Sequence, residues 1–526
     1  MSTWKRLLTL FLAAMMILPV FSGCKKGEES GKGSAKASTE NVEKYFLYTE
    51  AEKLYCLDAT TGKSTPIGLD FAVDAVENGL VCDDSTKMVA RVKKLGQEIS
   101  GLIYWDGRSE KASYLGDNTD LVRVSKDGNY IWYEVDPSEA GPLYCYDTKE
   151  QIPQKIVDRF TGAAVSDDGK SAFVTAATDL LGRNTLFYCK VGAQPQQIAQ
   201  ISYNYVSASQ DRSTIGYIKY DEQETSQESA PVYLWTKSGG EKTLPFEAIS
   251  LEVFAADEIY YRTFDSARER YCYYYYDGDS SHLLTENGLS DSQKAGNELF
   301  YYADRTNDTF TGHFVYKGKD LETPIQFSTR KGYSGFYDAE NKSFYGWSAK
   351  GITTQQGFYR VQIDGTGKPQ LTFLHESDGY SPRYDRFYGG CLLERKEDGL
   401  YLNGNKLVDS TQIEDMQISQ TADFVVYMDP EGIFGYADGE HTAYPKAPDT
   451  NAIYPARGRR ILSAVIGGRI TLHYTEGGTQ KLKTIGEKAD SLCSVYTWSS
   501  TDIGLGLCIS EMSGTWFNRY YDAFAW

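Results

Sequence analysis

The stretch LVRVSKDGNYIWYEVDPSEAGPLYCYDTKEQIPQKIVD, residues 121–158, decides the fold. It reads as four short strands: LVRVS, a turn at KDG, YIWYEVD, PLYCYD, a second turn and QKIVD. Short runs rich in β-branched and aromatic residues, broken by Asp, Gly and Pro, are strand and turn chemistry. Successive side chains of a strand point to opposite faces, and in YIWYEV both faces are apolar or aromatic. One small sheet cannot cover itself on both sides, so copies of it must stack.

Copies are present. Tyr144 of PLYCYD, a tyrosine in a short apolar strand ahead of a Gly or Asp turn, has counterparts at Tyr55, Tyr104, Tyr188, Tyr233, Tyr271, Tyr316, Tyr359, Tyr401, Tyr436 and Tyr474. The steps run from 35 to 49 residues, and Trp516 follows 42 residues after Tyr474. A period near 40 with several short strands per repeat is the signature of β-propeller blades. The expectation is an all-β chain of about twelve four-stranded repeats. Propellers close with roughly four to eight blades, so twelve predicts two rings, 44–290 and 291–526, joined within the polar stretch TENGLSDSQKAGN at 285–297. One ring of larger blades is the alternative.

Several turns resemble those of named propeller families. VSKDGNYIWY at 124–133 and VSDDGKSAF at 165–173 resemble the Ser, Asp, Gly turn of TolB-like repeats. LYCLDATTGK at 54–63 is similar to the quinoprotein-like repeat, with Ser64, Thr65 and Pro66 where that family usually has tryptophan. YRVQIDGTGKPQLT at 359–372 is similar to the low-density-lipoprotein-receptor-like repeat of bacterial surface proteins. The resemblance implies the architecture and leaves function open.

The front of the chain is a targeting segment. Lys5 and Arg6 precede an apolar run from Leu7 to Phe21, too short to span a bilayer comfortably, and Ser22 and Gly23 stand before Cys24. Phe21, Ser22, Gly23 and Cys24 resemble a bacterial lipobox, with Phe21 in the usual aliphatic position. The resemblance implies that residues 1–23 are a lipoprotein signal peptide and that the Cys24 thiol carries a diacylglycerol, anchoring the protein to the extracytoplasmic face of the cell membrane. The alternative is an ordinary secretory signal with Cys24 incidental. Residues 25–43 contain no aromatic and one aliphatic larger than alanine, Val42, a composition that cannot build a core. With Cys24 at its head, the segment 24–43 is expected to be a flexible linker with a typical reach of about 25 Å.

The formal charge of −18 argues against nucleic acid as a partner, which requires a basic face. Cys56, Cys145, Cys189 and Cys272 each directly follow a repeat tyrosine. Equivalent positions in stacked sheets lie about 10 Å apart, beyond disulfide reach, so these four are expected to be small buried strand residues. Cys82, Cys391, Cys493 and Cys508 are left open.

Reaction chemistry is sparse. His282, His313, His375, His441 and His473 have no metal-ligand spacing, so neither a metal nor a cofactor is expected. GYSGF at 332–336 lacks the final glycine of a nucleophile elbow. YDGDSS at 276–281 and MDPEG at 428–432 lack the spaced acids of a calcium loop and read as turns. Tyr273 to Tyr276 could stack on a sugar but sit inside a repeat strand, which favours packing. No catalytic residue is picked out. Two classes of function follow. One is a lipid-anchored binding or scaffold module for a protein, peptide or glycan. The other is an extracellular glycan hydrolase or lyase using carboxylates or tyrosines in a propeller channel.

Overall fold

The computed structural model describes residues 44–509 apart from short connecting segments, the longest being 220–228, 349–356, 377–384 and 498–506. Cys24, the segments 1–23 and 24–43, and Trp516 lie outside the described residues. Within them the chain is a β-propeller of eleven consecutive antiparallel blades of four strands, one of which gains a fifth where Leu507–Ile509 pairs with Tyr333–Asp338. Blade three shows the pattern: Thr119–Val124 innermost, then Tyr130–Val135, Leu143–Asp147 and Ile152–Val157 at the outer edge.

All eleven repeat tyrosines fall on the third strand of their blades. The register supplies a reason. In five blades an aromatic of the second strand stands directly opposite the tyrosine: Tyr48 opposite Tyr55, Tyr133 opposite Tyr144, Phe173 opposite Tyr188, Tyr217 opposite Tyr233 and Phe264 opposite Tyr271. The Tyr48–Tyr55 and Tyr133–Tyr144 rings stack with centroids 5.1 and 5.6 Å apart. Such pairs contribute about 0.5–1.5 kcal/mol beyond the area they bury.

The cores lie between blades. Trp132, Leu143 and Cys145 of blade three share one cluster with Val165, Ala172 and Val174 of blade four, while Ile131 and Tyr133 on the other face of blade three pack with Leu80, Val89 and Leu102 of blade two. The tyrosine run of blade six divides in the same way. Tyr276 and Tyr274 join the blade-five side, and Tyr273 and Tyr275 join the blade-seven side, so the cluster packs rather than forming a platform. Cys56, Cys145, Cys189 and Cys272 are buried and unbridged, as their repeat positions require. Cys56 and Cys493 flank Leu47 on opposite neighbouring strands, two strand spacings apart and beyond disulfide reach.

Two features were not legible in the sequence. First, blade one takes its innermost strand from the far end of the chain. Thr479–Thr497 serves as the outer strand of blade eleven through Ala489, and from Ala489 onward pairs antiparallel with Tyr45–Glu50 and then parallel with Gly79–Val81. Blade one is accordingly covered by blade two on one face and by blade eleven on the other, where Phe46, Tyr48 and Leu57 pack with Leu462, Ile470 and Leu472. Second, the stretch 285–297, expected as a join, lies largely within the strand Ser281–Ala295, whose two halves belong to blades six and seven. Gly288 within it is buried, and a Cβ there would stand 2.3 Å from the ring of Tyr273.

Candidate functional site

The turns between first and second strands carry a recurring polar knot. In blade three Ser125 Oγ donates to Asp127 Oδ1 at 2.7 Å and accepts the N–H groups of Asn129 and Tyr130 at 2.9 Å. Gly128 takes the left-handed conformation that the tight turn demands. In blade four Ser166 repeats the arrangement with Asp168, Ser171 and Gly169. A third copy, in blade five, escaped the sequence reading: Ser209 Oγ donates to Asp211 at 2.6 Å and accepts the Thr214 N–H at 3.1 Å. Arg212, at φ +52°, replaces the glycine and so hides the motif. A serine two residues before an aspartate, one repeat step beyond Ser166, was the available signal.

These turns are laced blade to blade. Lys87 Nζ donates to Asp127 O and to Asn129 Oδ1, the Lys126 N–H to Asp167 O, Trp132 Nε1 to Gly169 O, and Arg212 Nε to Val165 O. The row ends at a cleft of about 440 Å³ between blades five and six, lined by Asp211, Ser213, Thr236, Lys237, Ser238 and Phe254 among others. Burial works against the charged form of Asp211. Hydrogen bonds from Ser209 and Ser213 and the charge of Lys237 outweigh it and hold the carboxyl below its ordinary range. Lys237 Nζ also donates to Ser171 Oγ at 3.3 Å.

Behind Phe254 lies a clip across three innermost strands. Lys294 Nζ donates to Ala208 O and Val253 O, both at 2.7 Å, stands 3.9 Å from Glu252 Oε2 and lies 5.2 Å from the Phe254 ring centre. Ser207 Oγ donates to Glu252 and accepts the Val253 N–H. Burial pushes the Lys294 ammonium down to about 8, with Glu252 opposing and Arg212 adding to the shift. Burial pushes Glu252 up against the influence of Lys294 and Ser207. Lysine and carboxylate are thus engaged in joining blades five, six and seven.

The five histidines fall on strands of five different blades. His313 sits between Asp304 and Asp320, 3.4 and 2.8 Å away, with its ring parallel to Tyr302. His473 Nε2 and Ser463 Oγ are 2.7 Å apart, the contact of a base with a nucleophile, but the residues are 2% and 3% exposed. A substrate has no approach to that pair. His282 bonds Asp277, whose carboxylate also takes the N–H groups of Asp279 and Ser280. Asp429 likewise takes the N–H groups of Glu431 and Gly432, so both Asp-rich stretches use their acids as turn acceptors. Ser334 lies inside the strand Tyr333–Asp338 rather than on a strand-to-helix turn. Among the described residues no three His, Cys, Asp or Glu side chains are grouped to hold a metal ion.

No family model matches the chain, and a search of the curated proteins returns no match. Solved structures do resemble it. The β-propeller domain of the Trilobed protease from Pyrococcus furiosus is 12% identical with a TM-score of 0.33, the match covering 56% of this chain and 94% of that one. An acylaminoacyl peptidase from Pyrococcus horikoshii is 11% identical with a TM-score of 0.31, covering 57% of this chain, which spans about half (52%) of the peptidase. TolB from Acinetobacter baumannii is 12% identical with a TM-score of 0.27, covering 52% of this chain and 76% of TolB. At such identities the likeness concerns the β-propeller fold alone.

Proposed function

We propose that the protein is a lipid-anchored extracytoplasmic binding module that receives a polar peptide or glycan chain in the cleft between blades five and six. The observation that carries this reading is the composition and state of the cleft. Asp211, Ser213, Thr236, Lys237 and Ser238 line it together with one aromatic residue, Phe254. The charged groups are already held by hydrogen bonds within the frame. Groups so fixed present donors and acceptors at low entropic cost, which suits recognition. The anchor part of the reading rests on the lipobox-like residues before Cys24.

The test is a glycan array beside a peptide library, probed with the lipidated protein and with Lys237→Ala. Binding that falls tenfold or more in the variant supports the reading. Binding unchanged by the variant overturns the cleft, and cleavage of a bound glycan would replace the module with the hydrolase or lyase alternative.

A further inference from the structure

The chain enters the propeller at a defined place. Lys44 O accepts the Ala59 N–H at 2.7 Å, so the first described residue lies against the turn between the third and fourth strands of blade one. The strand that begins at Tyr45 pairs with the end of the innermost strand, Phe46 opposite Ser494. That innermost strand runs parallel to its counterpart in blade two, with Val81 opposite Thr497. Entry therefore occurs on the side where innermost strands end.

The same side can be followed along the molecule. Val81 leads to Cys82, whose Sγ lies 2.7 Å from where a Cβ on Gly128 would stand, in the Ser125 turn. The Lys126 N–H bonds Asp167 O in the Ser166 turn. Arg212 of the Ser209 turn bonds Val165 O, and Asp211 of that turn lines the cleft. Lys44, the three serine turns and the cleft share one face.

We propose that this face is turned toward the membrane, so that the cleft opens onto the bilayer side. The inference rests on the lipid-anchor reading of Cys24. A segment of the length and composition of 25–43 has a typical reach of about 25 Å. Turning the propeller over would require that segment to pass outward across two strands, at about 4.8 Å each, and then down a strand length of about 20 Å.

Energy transfer on vesicles tests the orientation. The full lipidated chain is labelled at Lys149→Cys, in an entry-face turn, or at Glu98→Cys, in a turn of the opposite face. The labelled proteins are placed on phosphatidylethanolamine–phosphatidylglycerol vesicles bearing a headgroup acceptor, and label on the parent chain is subtracted. Transfer from position 149 about twofold or more above that from position 98 supports the proposal, because the two turns are separated by about a strand length. Equal or reversed transfer with both proteins bound to vesicles overturns the orientation and leaves the anchor standing. Flotation is scored separately. A chain that stays off the vesicles, or binds equally well as Cys24→Ala, removes the anchor reading and this proposal with it.

Discussion

Thr49 and Ser491 stand 442 residues apart in the chain and share a hydrogen bond of 2.7 Å between their hydroxyls. Ser491 Oγ also accepts the Val76 N–H at 2.9 Å. This small knot ties the first blade, the last shared strand and the second blade. Its consequence is that the two ends of the described chain stabilise one another.

The fragment 44–290, the first of the two rings expected from repeat counting, should therefore not fold on its own. It lacks the innermost strand of blade one and exposes Phe46, Tyr48 and Leu57, all buried in the whole protein. Circular dichroism of the isolated fragment should show no cooperative melt. A sharp transition matching that of the whole protein would support two independent rings.

Gly288→Ala provides a second check on the same region. A linker tolerates alanine, but here the new methyl meets the Tyr273 ring, which is fully buried. The expected destabilisation is about 1–3 kcal/mol, the range for overpacking a core. Denaturant midpoints of variant and parent give the number, and a change within about 0.5 kcal/mol would fit a surface position instead.

Two histidines should give the stability curve opposite slopes. Burial disfavours the His313 imidazolium, yet the hydrogen bonds and charges of Asp304 and Asp320 outweigh it and raise its pKa to about 9. Against an unfolded value near 6.5, its contribution is fully present below pH 6.5 and is lost as pH rises to 9. Burial lowers His473 to about 4, so the folded state loses stability as pH falls from 6.5 to 4, where the unfolded chain binds the proton more readily. Each limb is on the order of 3 kcal/mol. Urea unfolding across pH should show the alkaline limb flattened in His313→Gln and the acid limb flattened in His473→Gln.

Truncating the inner clip should be worse than replacing it. Lys294→Ala leaves Glu252 beside Ser207 without its ammonium, at a cost of about 3 kcal/mol or more, while Lys294→Met combined with Glu252→Gln should recover most of the loss. A double-mutant cycle measures the coupling. Additive losses would mean that lysine and glutamate act independently.

Much of the blade architecture was legible because one physical device repeats: a third-strand tyrosine facing an aromatic of the second strand, as in Tyr133 and Tyr144. The closing strand was not legible, since its tyrosine, Tyr496, stands 22 residues after Tyr474 and so off the repeat step, and the Thr49 that Ser491 bonds lies at the other end of the chain. The polar stretch TENGLSDSQKAGN reads as a join for a related reason. An innermost strand holds its neighbours with polar clips, so Lys294 looks like solvent chemistry in one dimension and is bound to two carbonyls in three. The cleft was only half visible. The Ser and Asp of its turn were readable, but Arg212 in place of glycine broke the pattern, and Phe254 and Lys237 come to it from other strands.

The strand Thr479–Thr497 has one more consequence, for the order of events when the chain is made. Synthesis delivers Thr49 442 residues before its partner Ser491, so through most of elongation the first blade presents three strands and an open inner edge. Such long-range pairing is slow to form. A chain still lacking this strand cannot close the edge of its first blade, so completion of the fold waits until nearly all of the blades have been made.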